Sequence, residues 1–374
     1  QLFEAEGIPG PNVMLLSGTS WAGTSPLYHI QHPVGGILHA PQTELDAIQN
    51  HSRFQYTPVY DEEREEHIYV SGTSHARRYD ALRKILTYYT KKTGPTRSDP
   101  SRFENERNRL PESRKRLMLL VGSYSEAESV RIMLEQLRPE WKGQVLNLVR
   151  DDDSPADSWV GSEATLQRGQ VNRFAETEAW ILIAPLLAVE RGHNILNEDN
   201  KAAIGAAYFL IRPHPRPDDL TLPISAINAW AFDNGKQDWG DNILQSGERF
   251  RQEAYKRWRK WLHMPWIYST LPQNERAGVT WTQLITIWQV VGRLIRGGSP
   301  ARVYFVDAAF KSKRYQPDDD SEDPYVIQTG LLAEMQNVLA PYFDSNSPIE
   351  PTERELVKTL YEPFYRALSQ IGEV

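Results

Sequence analysis

Leu117-Met-Leu-Leu-Val-Gly-Ser-Tyr124 sets the fold class. Five apolar residues in an unbroken run read as a strand buried on both faces. The glycine and two hydroxyl residues that follow offer small polar groups at the strand's carboxyl end. Working outward, residues 126–137 carry Val130, Met133, Leu134 and Leu137 at helical spacing. The run 144–149 predicts a second strand, 166–177 a helix, 179–184 a third strand and 206–211 a fourth. Ala301-Arg-Val-Tyr-Phe-Val-Asp307 predicts a last one over 302–306. Continuous apolar strands separated by helical patterns define an α/β protein with a parallel sheet covered by helices on both faces. Ligands of such sheets bind at the carboxyl ends of the strands. That edge carries residues 122–124, 185–194 and 212–217.

Upstream, Asn12-Val-Met-Leu-Leu16 predicts a buried strand running into Ser17-Gly-Thr-Ser20. Residues 21–58 read as loop with short elements, 66–70 as an edge strand and 80–92 as a helix. Polar, charged and proline-containing residues at 93–116 predict a linker. The expected organisation is therefore a first unit at 1–95, a linker at 96–116 and a main unit at 117–312. The main unit includes a helical insertion at about 213–280. An acidic loop and C-terminal helices, at 325–339 and 351–371, fill 313–374.

Composition closes several routes. None of the 374 residues is cysteine, which excludes disulfides, thiolate zinc sites and cysteine-held iron–sulfur clusters within the chain and fits a cytoplasmic location. No apolar run is long enough to span a membrane. The chain begins at Gln1 without a methionine, which suggests a piece of a longer protein. A net charge of −7 argues against a wholly basic nucleic-acid binder and leaves room for a local basic groove. No Gly-x-x-x-x-Gly-Lys-Ser/Thr phosphate loop, Gly-x-Gly-x-x-Gly turn or Gly-x-Ser-x-Gly elbow occurs. The histidines at 29, 32, 39, 51 and 67 lack metal-ligand spacing, and the acidic runs at 61–64, 151–153 and 318–320 read as solvated turns.

Two stretches carry candidate chemistry. Gln289-Val-Val-Gly-Arg-Leu-Ile-Arg-Gly-Gly298 closes a helix expected to begin near Trp281, with Thr280 as its N-cap. Gln289, Arg293 and Arg296 fall on one face, while Trp281, Leu284, Trp288, Val291 and Ile295 fall on another. Gly297 and Gly298 end the helix. A carboxamide and two guanidiniums in a row suit a polyanion such as a triphosphate; the competing reading is a solvated polar face. In the insertion, Arg249, Arg251, Lys256, Arg257, Arg259 and Lys260 interleave with Phe250, Tyr255, Trp258 and Trp261. Such rings can stack on bases while the cations meet phosphate. The competing reading is an amphipathic helix with core aromatics and solvated charges.

The order of these pieces resembles the C-terminal motor half of a superfamily 2 helicase of the DinG/XPD-like group, across roughly residues 12–310. Ser17-Gly-Thr19 is similar to motif III and Val121-Gly-Ser-Tyr124 to motif IV. Glu190-Arg-Gly-His-Asn-Ile195 resembles motif V, with Asn194 where aspartate is usual. Phe209-Leu-Ile-Arg-Pro-His-Pro-Arg-Pro217 resembles the proline-containing loop that follows it. Gln289-x-x-Gly-Arg-x-x-Arg296 matches motif VI. The helicase partner of prokaryotic PIWI-associated restriction modules is a narrower resemblance. The resemblance implies a RecA-like sheet and, in the complete protein, an ATP-dependent helicase or translocase. ATP and Mg²⁺ would then be held mainly by the first RecA-like domain of the same protein. By the same match, Arg293 and Arg296 would face the β/γ-phosphates and Gln289 would position nucleotide or water. Ser17, Gly18, Thr19 and Gly192 would couple nucleotide state to grip. Ser123, Tyr124, Arg191 and Asn194, with Arg257 and Trp258 of the insertion, would contact nucleic acid, DNA before RNA. The alternative is a RecA-like module that binds nucleic acid or protein without catalysis.

Overall fold

The computed structural model describes residues 16–30, 34–96, 98–151, 164–189, 194–214, 219–235, 237, 239–263, 268, 271–311 and 330–372. Their elements run, in chain order, α1 (Gln42–His51), β1 (Arg53–Tyr56), β2 (Tyr60–Asp61), β3 (Glu66–His67), α2 (His75–Thr90) and α3 (Arg102–Arg109). Then come β4 (Leu117–Val121), α4 (Tyr124–Leu137), β5 (Val145–Val149), β6 (Thr165–Gln167), β7 (Ile181–Pro185), α5 (Leu186–Val189) and β8 (Ala206–Phe209). Helices α6 (Thr221–Asn234), α7 (Ile243–His263) and α8 (Gln273–Leu294), strand β9 (Arg302–Phe305), and helices α9 (Leu331–Phe343) and α10 (Pro351–Ser369) complete the series. Short 3₁₀ turns join several of them.

Seven strands form one sheet in the order β1-β9-β8-β4-β7-β5-β6, and every pairing is parallel. The α/β expectation is met: a RecA-like parallel sheet between two helical layers, with a helical insertion and C-terminal helices. β4 shows why the apolar run is continuous. Leu117, Leu119 and Val121 join the core under α2 and α4, while Met118 and Leu120 join the core under α8, α9 and α10. A strand buried on both faces has no solvent side to mark with polar residues.

Several expectations are corrected. Strand β1 lies inside the stretch read as loop, and it pairs with β9 in register Phe54 to Val303. Residues 12–15 of the expected first strand lie outside the described residues, and Leu16 is exposed. The helix expected over 166–177 is strand β6 followed by a 3₁₀ helix at Arg168–Glu176. The edge strand expected over 66–70 is shortened to β3, paired antiparallel with β2. Asp61, read as a solvated acid, is buried and meets Lys84 Nζ at 2.7 Å.

The stretch 96–116, expected to be a linker, packs into the body at its described positions. Helix α3 is held by a capping box in which Ser101 and Glu104 satisfy each other's backbone amides. Phe103 is fully buried, and the buried Glu106 carboxylate pairs with Arg302 of β9. Arg114 is 4% exposed. Its guanidinium donates to the carbonyls of Ala202, Ile204, Leu294 and Pro300 at 2.7–3.0 Å. These charges meet protein partners in place of water.

Candidate functional site

The site grows from helix α8. Its start is Gln273, not the expected Trp281. Thr280 is therefore an interior residue: its hydroxyl turns back to the Arg276 carbonyl at 2.7 Å and bonds the Tyr268 hydroxyl. From Gly278 to Trp288 every residue is buried, as expected of a helix enclosed on all sides. The enclosure opens at Gln289, which is half-buried.

Residues 20–30 form a latch that lies across the middle of α8. Ser25 Oγ meets Thr282 Oγ1 at 2.8 Å, and the Tyr361 hydroxyl of α10 donates to the Trp21 carbonyl. The Ala22 amide donates to His29 Nδ1 at 3.2 Å. Burial lowers the His29 pKa, opposed by Glu353 and Asp233. That favours the neutral ring, which alone can accept this bond. Gly23 takes φ +49° against the Trp281 indole, where a Cβ would fall inside van der Waals contact. Gly23→Ala therefore combines left-handed strain with a clash. We expect it to cost about 2 kcal/mol or more and to expose the amides of residues 20–30, read as faster hydrogen exchange there than in α4.

The latch delivers the preceding Ser17–Thr19 turn to the end of α8. Gln289 Nε2 donates to Thr19 Oγ1 at 3.3 Å, across 270 positions of sequence. The Thr19 amide in turn donates to Ser17 Oγ at 3.1 Å. The Gln289 side-chain oxygen Oε1 is buried and has no hydrogen-bond partner among the described residues. One turn on, Arg293 Nε donates to the carbonyl of Val189, the last residue of α5 beyond the carboxyl end of β7. Two of the sequence candidates thus converge, the Ser17-Gly-Thr19 turn and the Gln289/Arg293 face, and Arg293 also meets α5 at Val189.

Other candidates are placed differently. Arg296 is not on the helical face of Gln289 and Arg293. The helix ends at Leu294, Ile295 is its C-cap, and Gly297 and Gly298 both take φ +68°. Two left-handed residues unwind the chain, so Arg296 sits exposed in the turn beyond. Arg191 and Gly192 lie outside the described residues, and Asn194 is exposed. Ser123 caps α4 by accepting from the Glu126 amide at 3.2 Å. Tyr124 lies beside it, 5.5 Å beneath the Arg150 guanidinium. Both stand at the carboxyl end of β4, next to β7 in the sheet. Arg257 and Trp258 are far along the chain on α7. Arg257 stacks over Trp230 of α6 at 5.0 Å and pairs with Glu253 at 3.4 Å. Trp258 is half-buried.

Sequence reasoning missed the latch residues Ser25 and Thr282 and Arg150 beside Tyr124, and it named the half-buried Arg212 only as part of the 212–217 edge segment. Arg212 lies over the Tyr268 ring at 5.3 Å, and burial lowers its pKa. The Arg212 amide shares the Asp307 carboxylate with the amides of Val70 and Ser71. Each contact joins positions far apart, so no local pattern announces it.

The donor set suits phosphate oxygens: the Gln289 carboxamide and the Arg293 guanidinium one turn apart near the end of α8, with the Arg296 guanidinium exposed in the turn beyond. It does not suit a metal ion, and among the described residues no group of three His, Asp or Glu could hold one. Nor is any helix of the described residues long and apolar enough to cross a membrane. No protein-family model matches the chain, and no curated protein sequence matches it.

Proposed function

We propose that this chain supplies the second half of an ATP site in a nucleic-acid helicase or translocase. The observation that carries the reading is the Gln289–Thr19 contact, with Arg293 anchored one turn further on at the chain entering residues 190–194. Thr19 and the Gln289/Arg293 face belong to the segments that the helicase resemblance orders as motifs III and VI; Arg191 and Gly192 of the motif V segment lie outside the described residues. In this reading Arg293 and Arg296 hold the β/γ-phosphates across the cleft from the first RecA-like domain. Guanidiniums there stabilise charge on the transferring phosphoryl group. Mg²⁺ belongs to that other domain, in keeping with the donor set here. Thr19 senses the state of Gln289 through a direct hydrogen bond and passes it to the latch. Ser123 and Tyr124 stand just beyond the carboxyl end of β4, where a nucleic-acid backbone would lie, whereas Asn194 lies toward the amino end of β8, next to Ile195 and its partner Ala203. The test is ATP hydrolysis by the complete protein, measured with and without single-stranded DNA. Hydrolysis stimulated by DNA is expected. A folded complete protein that hydrolyses no ATP in either condition would overturn the proposal.

A further inference from the structure

Helix α7 is 21 residues long and has no buried residue. Its inner face packs on α6. Phe250 stacks on Trp230 with ring centroids 5.0 Å apart, and Trp239 closes the cluster edge-on to both rings. The cations divide between the two faces. Arg257 is used on Trp230 and Glu253, Lys256 meets the same Glu253, Lys260 pairs with Glu275 of α8, and Arg249 donates to the Trp239 carbonyl. Arg251 and Arg259 are exposed and make no ion pair among the described residues. Between them stands Tyr255, 61% exposed. The three are spaced i, i+4, i+8, so they form one outward stripe with about 6 Å between successive positions.

We infer that the Arg251–Tyr255–Arg259 stripe is a docking track for single-stranded nucleic acid. The inference takes its partner from the motor reading above. Charge complementarity selects the occupant: α7 sets six cations against Glu248 and Glu253, in a chain whose net charge is −7. A ring flanked by two unpaired guanidiniums offers a base-stacking surface with a phosphate contact on either side. A membrane surface fits less well, because the helix turns its large aromatic face to α6 and leaves a charged face outward. Leu244 and Leu262 lie at the ends of the stripe, beyond the two arginines. The track narrows the interleaved set of the sequence to its outward members Arg251, Tyr255 and Arg259, whereas Arg257 is engaged on Trp230 and Glu253.

The test is fluorescence anisotropy of a labelled oligo-dT with the full 374-residue chain at several salt concentrations. Circular dichroism melts confirm that each exposed-site variant is folded. Tyr255→Ala is expected to weaken binding about tenfold. Arg251→Gln with Arg259→Gln should reduce the slope of log affinity against log salt by about 1.4, the share of two phosphates on a single strand. Arg257→Gln should leave that slope unchanged. Binding that ignores all three outward substitutions would overturn the track while leaving the motor reading standing. So would the absence of salt-dependent binding by the folded chain, or a stripe that binds anionic phosphatidylserine vesicles in place of the oligonucleotide. Loss of binding in the stripe variants alongside a complete protein without ATPase would sink the motor and keep the track.

Discussion

Arg114→Met is expected to lower the stability of the chain by about 3–5 kcal/mol, on the scale of removing one partner from a buried ion pair. Four carbonyls converge on the one guanidinium: those of Ala202 and Ile204 before β8, Pro300 before β9, and Leu294 at the end of α8. Among the described residues no carboxylate pairs with it, so carbonyl dipoles alone compensate the buried charge. The Leu294 carbonyl adds the negative end of the α8 dipole. Burial pushes the Arg114 pKa down to about 10, so the group remains charged at neutral pH. Methionine fills similar volume and leaves the carbonyls without donors, each at a cost of about 1–3 kcal/mol before relaxation. A loss on this scale is a large fraction of the roughly 5–15 kcal/mol that holds a domain folded. Thermal melting should show it as a drop on the order of 10 °C. Arg109→Met serves as the control. Its side chain is 69% exposed, and its melt should match the wild type to within about 0.5 kcal/mol. Equal melts for the two variants would remove Arg114 from its place as the tie between α8 and the sheet.

The interior of the sheet was legible in the sequence and its margins were not. β4 and β7 are buried at every position and announce themselves as apolar runs. β1 and β6 are the two edges, and each buries one residue, Phe54 and Leu166. A short edge strand sends few side chains into the core, so Arg53-Phe-Gln-Tyr56 gives no hydrophobic run to recognise. The start of α8 was misplaced for a related reason. Thr280 reads as a cap, yet it is buried against Tyr268, and Thr282 and Thr286 after it are buried against Ser25 and Tyr28. Polar residues accepted into a core depend on partners from other segments, and those partners were invisible in the local pattern. The charges at 102–116 misled in the same way.

For the site, the order of the motifs carried more information than any one of them. The resemblance assigned Thr19 and Gln289 to separate motifs of a proposed ATP site, and in the fold the two side chains are in direct contact. The helical wheel placed Arg293 well and Arg296 badly. Periodicity describes a face only as far as the helix continues, and the glycines at 297 and 298 end it first.

Arg293→Ala is expected to abolish ATP hydrolysis in the complete protein. An arginine that meets the transferring phosphoryl group contributes about 10³–10⁵ in rate. That equals about 4–7 kcal/mol of transition-state stabilisation. The position suits an arginine in that role. Helix α8 is enclosed over most of its length, and the Val189 carbonyl accepts a hydrogen bond from Arg293 Nε and so steadies the side chain. Arg293→Lys should recover little, because an ammonium does not reproduce the planar, forked donor set. Removing one bond to Val189 costs stability as well, on the order of 1–3 kcal/mol, so a thermal melt must accompany each variant. The decisive measurement is steady-state ATP hydrolysis by the complete protein with single-stranded DNA, wild type against Arg293→Ala, on samples that melt cooperatively. A fall of about a thousandfold or more is predicted. Hydrolysis within twofold of wild type would contradict the account.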